Sequence, residues 1–498
     1  MKRRPFLLSL AALPFSRPHK PIDSFVPPIH DVTLPEAHRG TLDIDTRLLD
    51  SYGAPPAALR QFYLDSRNAF ADGKAMNFTD AAIVQSAKAN QLQLMGGPML
   101  GQLRDDGITF WLRPATTSPI TISVGTTTKT TRTHKAGETV KLALDGLKPD
   151  TRHDYKVSAE GSVVAEGQFR TAPKHDSRGA FRLAFGSCCH KIGIHNINLY
   201  KQIVKREPHA MMLLGDIAVD DRNEQVNMHR ADYQLRDVSN GFRTLATQVP
   251  LYASWDDHDY FDNDLSGIPK KHTADDRDGV RAVYRQNWVN PEVDDGREGI
   301  YFSTRIGPVE VIMLDTRSCR DGKTRNKYGA YLGVEQIKWL HRTLKASTAP
   351  FKVISSGTMW SDYVSKAKDS WGTWDKEARE ELFNLIESEK IGGVLLVSGD
   401  RHGARAFRIP RPSGFNFYEF EPATLGGVSG PAGIVKNCPE QLFGYDGRDS
   451  DGKNFVAFGE FTFDTAANDP KVIFRLISQF GEVREEIELS LSTLTPKA

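Results

Sequence analysis

Trp255-Asp256-Asp257-His258-Asp259-Tyr260-Phe261-Asp262-Asn263-Asp264 follows at once on Pro250-Leu251-Tyr252-Ala253-Ser254. Its ten residues hold five carboxylates, an imidazole and an amide, and the run before it is apolar and reads as a strand. Like charges crowded so closely cost free energy unless a cation or a proton offsets them, so the stretch reads as a metal site at a strand end.

Working outward, apolar strands alternate with helical stretches from Phe181 on. Strands are predicted at 181–185, 209–214, 251–254, 309–314, 352–356 and 393–398, and helices at 198–207, 333–346 and 375–389. This is an α/β pattern of buried strands whose C-terminal ends lead into polar loops, where ligands bind in such folds. Four of those ends carry unusual residues: Gly186-Ser187-Cys188-Cys189-His190, Gly215-Asp216, Trp255-Asp256-Asp257-His258 and Gly399-Asp400-Arg401-His402. A thiolate, carboxylates and imidazoles drawn from four strand ends can converge on one side of a sheet and assemble a dinuclear metal site.

The residue types fit that chemistry. A bridging carboxylate, for which Asp216 is the candidate, can hold two cations about 3.5–4 Å apart, close enough to grip one phosphoryl group and activate water. Asp257 offers oxygen to a hard cation, whereas Cys188 favours a transition metal. His258, beside a ligand, is placed to protonate a leaving alkoxide. Arg317 and Arg320 follow the strand at 309–314 and are candidate phosphate clamps, with an ion pair to Asp315 as the competing role. Asp264 reads as ordering its loop beside Asn263, and Trp360, Trp371 and Trp374 as core or wall residues.

A length of 498 residues implies two to three domains, and 64 Lys and Arg against 63 Asp and Glu leave no bulk charge to draw nucleic acid or a membrane surface. Residues 1–22 join Lys2-Arg3-Arg4 to a short apolar run, a signal peptide of twin-arginine type, so the export machinery is an expected partner and the periplasm or exterior the expected location. No transmembrane span is expected. Residues 23–95 form a partly helical extension, helical at 57–68 and 79–93, without a chemical motif. Residues 96–175 show short alternating runs at 108–112, 120–124, 140–144 and 153–157, a small β-sandwich resembling a fibronectin type III module. The catalytic domain is placed at 178–490, closed by an antiparallel meander at 454–463, 471–479 and 483–489. Four cysteines make no disulfide scaffold, and a Cys319–Cys438 bridge stays open for an oxidising compartment.

The runs GSCC (186–189), LLGD (213–216), WDDHDYFDND (255–264), LDTRSCR (314–320) and SGDRH (398–402) resemble the alkaline phosphatase D (PhoD-like) family of metallophosphoesterases over residues 96–490. The resemblance implies a four-layer αββα catalytic domain and hydrolysis of small-molecule or lipid phosphate mono- or diesters without a covalent intermediate. It also implies iron with calcium. Cys188 and Asp216 would be iron ligands with Asp216 bridging to calcium, Asp257, Asp400 and His402 would complete the metal shell, and His258 would assist the leaving group. One departure stands out: the family commonly carries tyrosine where this chain has Val219, which cannot coordinate. Asp220 or Asp221 can substitute, and a divalent transition-metal pair becomes credible. The alternatives are a phospholipase-type diesterase and a catalytically decayed binding or envelope protein.

Overall fold

A strand that is apolar on both faces needs cover on both sides, and that requirement organises the larger part of the chain. The computed structural model describes residues 25–72, 76–292, 298–447 and 455–497, so the signal-like stretch at 1–22 lies outside the described residues. Among them, six strands form one sheet in the order Leu251–Ser254, Ala210–Leu214, Ala180–Gly186, Ala457–Asp464, Lys471–Ser478, Val483–Ser490. The first three are parallel, and the last three form the antiparallel meander. Seven strands form a second sheet, ordered Phe302–Ile306, Val309–Met313, Phe351–Ser355, Val394–Val397, Asn416–Pro422, Gly403–Pro410, Gln441–Asp446.

The sheets face each other across one apolar layer. Phe420 of the second sheet meets Phe461 and Phe474 of the first at ring separations of 5.3 and 4.4 Å, and Phe351 meets Phe463 at 4.9 Å. Each such pair adds about 0.5–1.5 kcal/mol beyond the area it buries. Successive strand residues alternate faces, so Val311 and Met313 enter this layer while Ile312 points outward. Outside the second sheet, Ile312, Ile354 and Leu396 cluster with Leu340 and Phe383 of helices Val334–Ala346 and Trp371–Ser388. Outside the first, Ala184, Leu213 and Ala253 cluster with Leu199, Ile203 and Leu245 of helices Ile197–Lys205 and Asn240–Ala246. The layer order is therefore helices, sheet, sheet, helices. No helix among the described residues is long and apolar enough to cross a membrane.

Strands Phe302–Ile306, Gly403–Pro410, Asn416–Pro422 and Gln441–Asp446 lie outside the predicted set. Two of them bury charge, which breaks the apolar pattern: Arg405 pairs with Glu421 at 2.9 Å, and Glu419 accepts the Trp360 and Ser361 amides. Ahead of the two large sheets stand a three-stranded and a four-stranded antiparallel sheet spanning Leu94–Gly101 to Ser162–Arg170. Phe110 of one meets Tyr155 of the other edge-on at 4.9 Å. Cys319 and Cys438 are both free, so the bridge is not formed.

The segment before these sheets is more than an appendage. Helix Leu34–Arg39 opens with a reciprocal Thr33–Glu36 capping box and closes on Gly40 in the left-handed region. Behind it, Asp45 of helix Leu42–Asp50 takes the Arg67 Nε at 2.9 Å and the Lys191 Nζ at 3.1 Å. Lys191 also lies 3.6 Å from Asp232, which receives Arg222 at 2.7 and 2.9 Å. All five side chains are buried. Removing one member of such a network strands the others, so Asp45→Ala is expected to lower unfolding free energy by about 3–5 kcal/mol, read as a lower urea midpoint at unchanged slope.

Candidate metal centre

Strands Ala180–Gly186, Ala210–Leu214 and Leu251–Ser254 are parallel neighbours, so their C-terminal ends share one edge. The loops beyond them are tied together: the Cys188 amide donates to Gly215 O at 3.2 Å, and the His190 amide to Asp216 O at 2.8 Å. Gly215 has φ 102°, and a Cβ there would lie 2.6 Å from the Asp256 Cβ. Cys188, His190, Asp216, Asp400 and His402 all have φ between 44° and 70°. For residues with a Cβ this left-handed backbone costs on the order of 1 kcal/mol or more each. The turns that follow Ala180–Gly186, Ala210–Leu214 and Val394–Val397 are thus held against local preference, and the result is that their side chains meet.

Cys188, His190, Asp216 and His402 each offer a ligand atom, all within 4.8 Å of one another. The Cys188 Sγ lies 3.8 Å from Asp216 Oδ2, and the His190 and His402 Nε2 atoms face each other at 3.3 Å. The far nitrogens are held: His190 Nδ1 by Asp220 at 2.8 Å and His402 Nδ1 by Ser429 O at 3.2 Å. That support fixes ring orientation and leaves Nε2 to the centre, as around ligating histidines generally. Burial, then the neighbouring His190, pushes His402 down to about 3, so it is neutral. Burial and the Asp257 charge push the Asp216 carboxyl well above the usual range, and its Oδ1 has no hydrogen-bond partner. Burial and Asp216 likewise push the Cys188 thiol up.

His190 was not among the expected site residues. The available signal was its place at the end of the Cys188-bearing loop; its inward turn depends on a backbone φ of 50° that sequence does not reveal. Val219 is buried in the apolar cluster outside the first sheet. Its amide and those of Ile217 and Ala218 donate to Asp259, so that acid shapes the loop. Neither Asp220 nor Asp221 takes Val219's place at the four-residue group; both instead hold histidines.

Asp256, Asp257 and Asp400 form a second group of ligand atoms within 4.8 Å. Arg317 enters it: its Nε binds Asp256 Oδ1, and its Nη2 lies 3.5 Å from Asp257 and 3.8 Å from Asp400. The expected partner Asp315 is otherwise engaged, accepting the Trp255 indole N–H and the Ile300, Arg317 and Ser318 amides. Burial opposes ionisation of Asp257, yet Arg317 and His258 outweigh it and hold its carboxyl below the usual range. Burial and the acids Asp369, Asp256 and Asp257 raise Asp400. Arg320 binds Asp369 at 2.7 Å and Thr316 O, between the rings of Tyr331 and Trp374. Trp360 and Trp371 lie in the outer apolar cluster with Trp374 at its margin. Asp264 orders the rim loop, donating its amide to Asp257 Oδ2 at 2.7 Å and pairing with Lys368.

His258 Nδ1 lies 2.6 Å from Asp221 Oδ1. Burial opposes its charge, but Asp257, Asp216 and Asp221 hold the imidazole protonated well above its ordinary range. A fourth imidazole stands beside it: His38 from helix Leu34–Arg39, its ring 4.7 Å from that of His258. Nothing in the segment 23–95 marked His38 as a site residue, and only the folding of the chain brings it there.

Two facing sheets with helical outer layers, and thiol, imidazole and carboxylate donors gathered at their strand ends, define a metallophosphoesterase-like fold. A family model described as PhoD-like phosphatase matches residues 183–432, about half of the chain, and the chain belongs to that family. A domain of unknown function (DUF7800) matches residues 91–176. Alkaline phosphatase D of Bacillus subtilis (strain 168) is 24% identical over 321 residues, covering 54% of each chain, so this chain spans about half the length of that relative. A solved structure of PhoD superposes with a TM-score of 0.63 at 19% identity, over 80% of this chain and 88% of the other. The purple acid phosphatase PPD1 from yellow lupin (Lupinus luteus) seeds gives 0.58 at 14% identity, over 79% of this chain and 74% of the other. Both establish likeness of fold.

The raised Asp216 carboxyl has a thermodynamic consequence for the metal-free protein. Between its unfolded and folded pKa the folded state binds a proton that the unfolded state has lost, so stability falls as pH rises through that window. In chelator, the thermal midpoint of wild type relative to Asp216→Asn is expected to fall as pH rises above about 4.

Proposed function

We propose that the chain is a metal-dependent phosphoester hydrolase, exported by virtue of Arg3-Arg4 and the apolar run after it. The observation that carries this reading is the meeting of Cys188, His190, Asp216 and His402 within 4.8 Å. The donors fit a cation: Asp216 Oδ1, Asp256 Oδ2 and Asp257 Oδ1 are buried without hydrogen-bond partners, and both ligating histidines have their outer nitrogens supported. A thiolate, two imidazoles and a carboxylate suit a transition ion, while Asp257 with Asp400 offers oxygen to a harder ion such as calcium. Because Val219 supplies no phenolate, and His190 adds a neutral imidazole to the donor set, a divalent ion is favoured over a ferric one at the first position. Cations bound there would acidify water and offset charge on the phosphoryl oxygens.

The chain's own residues do the rest. Water attacks phosphorus in line with the ester oxygen and gives up a proton to solvent, the P–O ester bond breaks, and His258 gives its Nε2 proton to the departing oxygen, to be reprotonated from solvent. Asp221 holds the ring through Nδ1 at 2.6 Å. Arg317 keeps Nη1 and Nη2 without hydrogen-bond partners and is the candidate to grip a phosphoryl oxygen, whereas Arg320 is held by Asp369 and Thr316 O. The small sheets are read as a fibronectin type III-like buttress: Leu103 N donates to the Tyr252 hydroxyl at 2.8 Å, bracing the strand that leads to Asp257 and His258.

Asp216→Asn is expected to abolish turnover with the fold retained, and His190→Ala to lower metal affinity by more than the roughly 10–100-fold that loss of a supporting partner such as Asp220 would cost. His258→Ala should slow turnover about 10²–10⁴-fold at unchanged metal content. Elemental analysis with a panel of aryl and bis-aryl phosphates checks all three. Wild-type protein that holds no metal and cleaves neither ester class would sink the proposal.

A further inference from the structure

We propose that the N-terminal segment completes the active site through His38, a positioning residue that holds the leaving-group acid by way of Asp221. The inference rests on the reading of His258 as that acid.

His38 sits between two carboxylates that each orient a site histidine. Its Nδ1 lies 3.1 Å from Asp221 Oδ2, while the other oxygen of Asp221 holds His258 Nδ1 at 2.6 Å. Its Nε2 lies 3.9 Å from Asp220 Oδ1, the atom that holds His190 Nδ1 at 2.8 Å. The His38 ring is tilted by 33° over that of His258 at 4.7 Å and stands 5.7 Å from that of His190. One imidazole therefore reaches the supports of both histidines.

A purely structural role accounts poorly for this residue. The short helix is already fixed by other means: Ala37 packs with Ile44 and Leu48, and Arg67 Nη2 binds Gly40 O at 2.5 Å. His38 adds a polar ring whose Nε2 is buried without a hydrogen-bond partner, an arrangement that costs stability. An apolar ring would fill the space without that penalty. What the imidazole supplies and an apolar ring does not is a nitrogen 3.1 Å from Asp221, whose side chain is 15% exposed and would otherwise have water as its second partner. Held on both sides, Asp221 keeps His258 in one orientation. The segment lies outside the residues matched by the family model, 183–432, so this support comes from a part of the chain that precedes them.

The test compares full-length His38→Phe, which keeps a ring, with His38→Asn, whose amide reaches towards Asp221. Turnover is measured on aryl phosphoesters of graded leaving-group acidity and on an alkyl ester, with metal content and thermal midpoint as controls. His38→Phe is expected to lower kcat about tenfold more on the poorest leaving group than on p-nitrophenyl esters, with KM and metal content unchanged. His38→Asn should restore most of the loss, and His258→Ala should show the same selectivity more strongly. If His38→Phe retains wild-type selectivity, or loses activity equally across the series, while His258→Ala discriminates, the role of His38 is overturned and that of His258 stands. If His258→Ala shows no discrimination, both fall.

Discussion

Asp216, Asp256, Asp257 and Asp400 are brought together at strand ends where little water reaches them, and the fold has to offset the charge they carry. Arg317 supplies part of that offset from the facing sheet, binding Asp256 and lying near Asp257 and Asp400. The compensation is incomplete, because buried oxygens of Asp216, Asp256 and Asp257 still lack partners. Unpaired acids in a low dielectric destabilise the surrounding structure, and left-handed backbone at five neighbouring residues adds to that burden. The aromatic layer between the sheets provides rigidity against both. A site that is poor in stability is thus carried by a scaffold that is rich in it, the common arrangement where geometry is fixed for a ligand.

Around this centre the chain builds a second tier of carboxylates. Asp220 orients His190, Asp221 orients His258, and Asp259 gathers the loop amides of Ile217, Ala218 and Val219. Asp315 does the same for the loop that carries Arg317. Acids close together in sequence therefore divide into those that face the centre and those that aim its residues. The division partly follows hydrogen-bond supply: Asp259 and Asp315 receive several N–H groups, whereas Asp216, Asp256 and Asp257 each keep an oxygen without a partner.

Much of this was legible in the residues. The strand ends bearing Cys188, Asp216, Asp257 and His402 stood out because each followed a continuous apolar run, and those runs are the strands observed. What stayed hidden depends on contacts between distant residues or on single dihedral angles. His190 turns inward through one left-handed residue, and His38 arrives from a segment with no motif. Strands Gly403–Pro410 and Asn416–Pro422 escaped notice because Arg405, Glu419 and Glu421 look like surface residues until their partners are known. For Arg317 an ion pair with its neighbour Asp315 competed with the role of phosphate clamp, and backbone amides occupy that acid instead.

The order of strands in the first sheet bears on how the molecule is made. Ala180–Gly186, which ends in Cys188, has Ala210–Leu214 on one side and Ala457–Asp464 on the other. Its second neighbour is synthesised long after the first, and long-range pairing of this kind slows folding. Until residue 464 has left the ribosome, the strand beneath the centre has an open edge, and the acids above it have incomplete support. Binding of a cation is therefore expected to follow synthesis rather than accompany it, and a nascent chain exposes that edge to chaperones or to misassembly for most of its elongation.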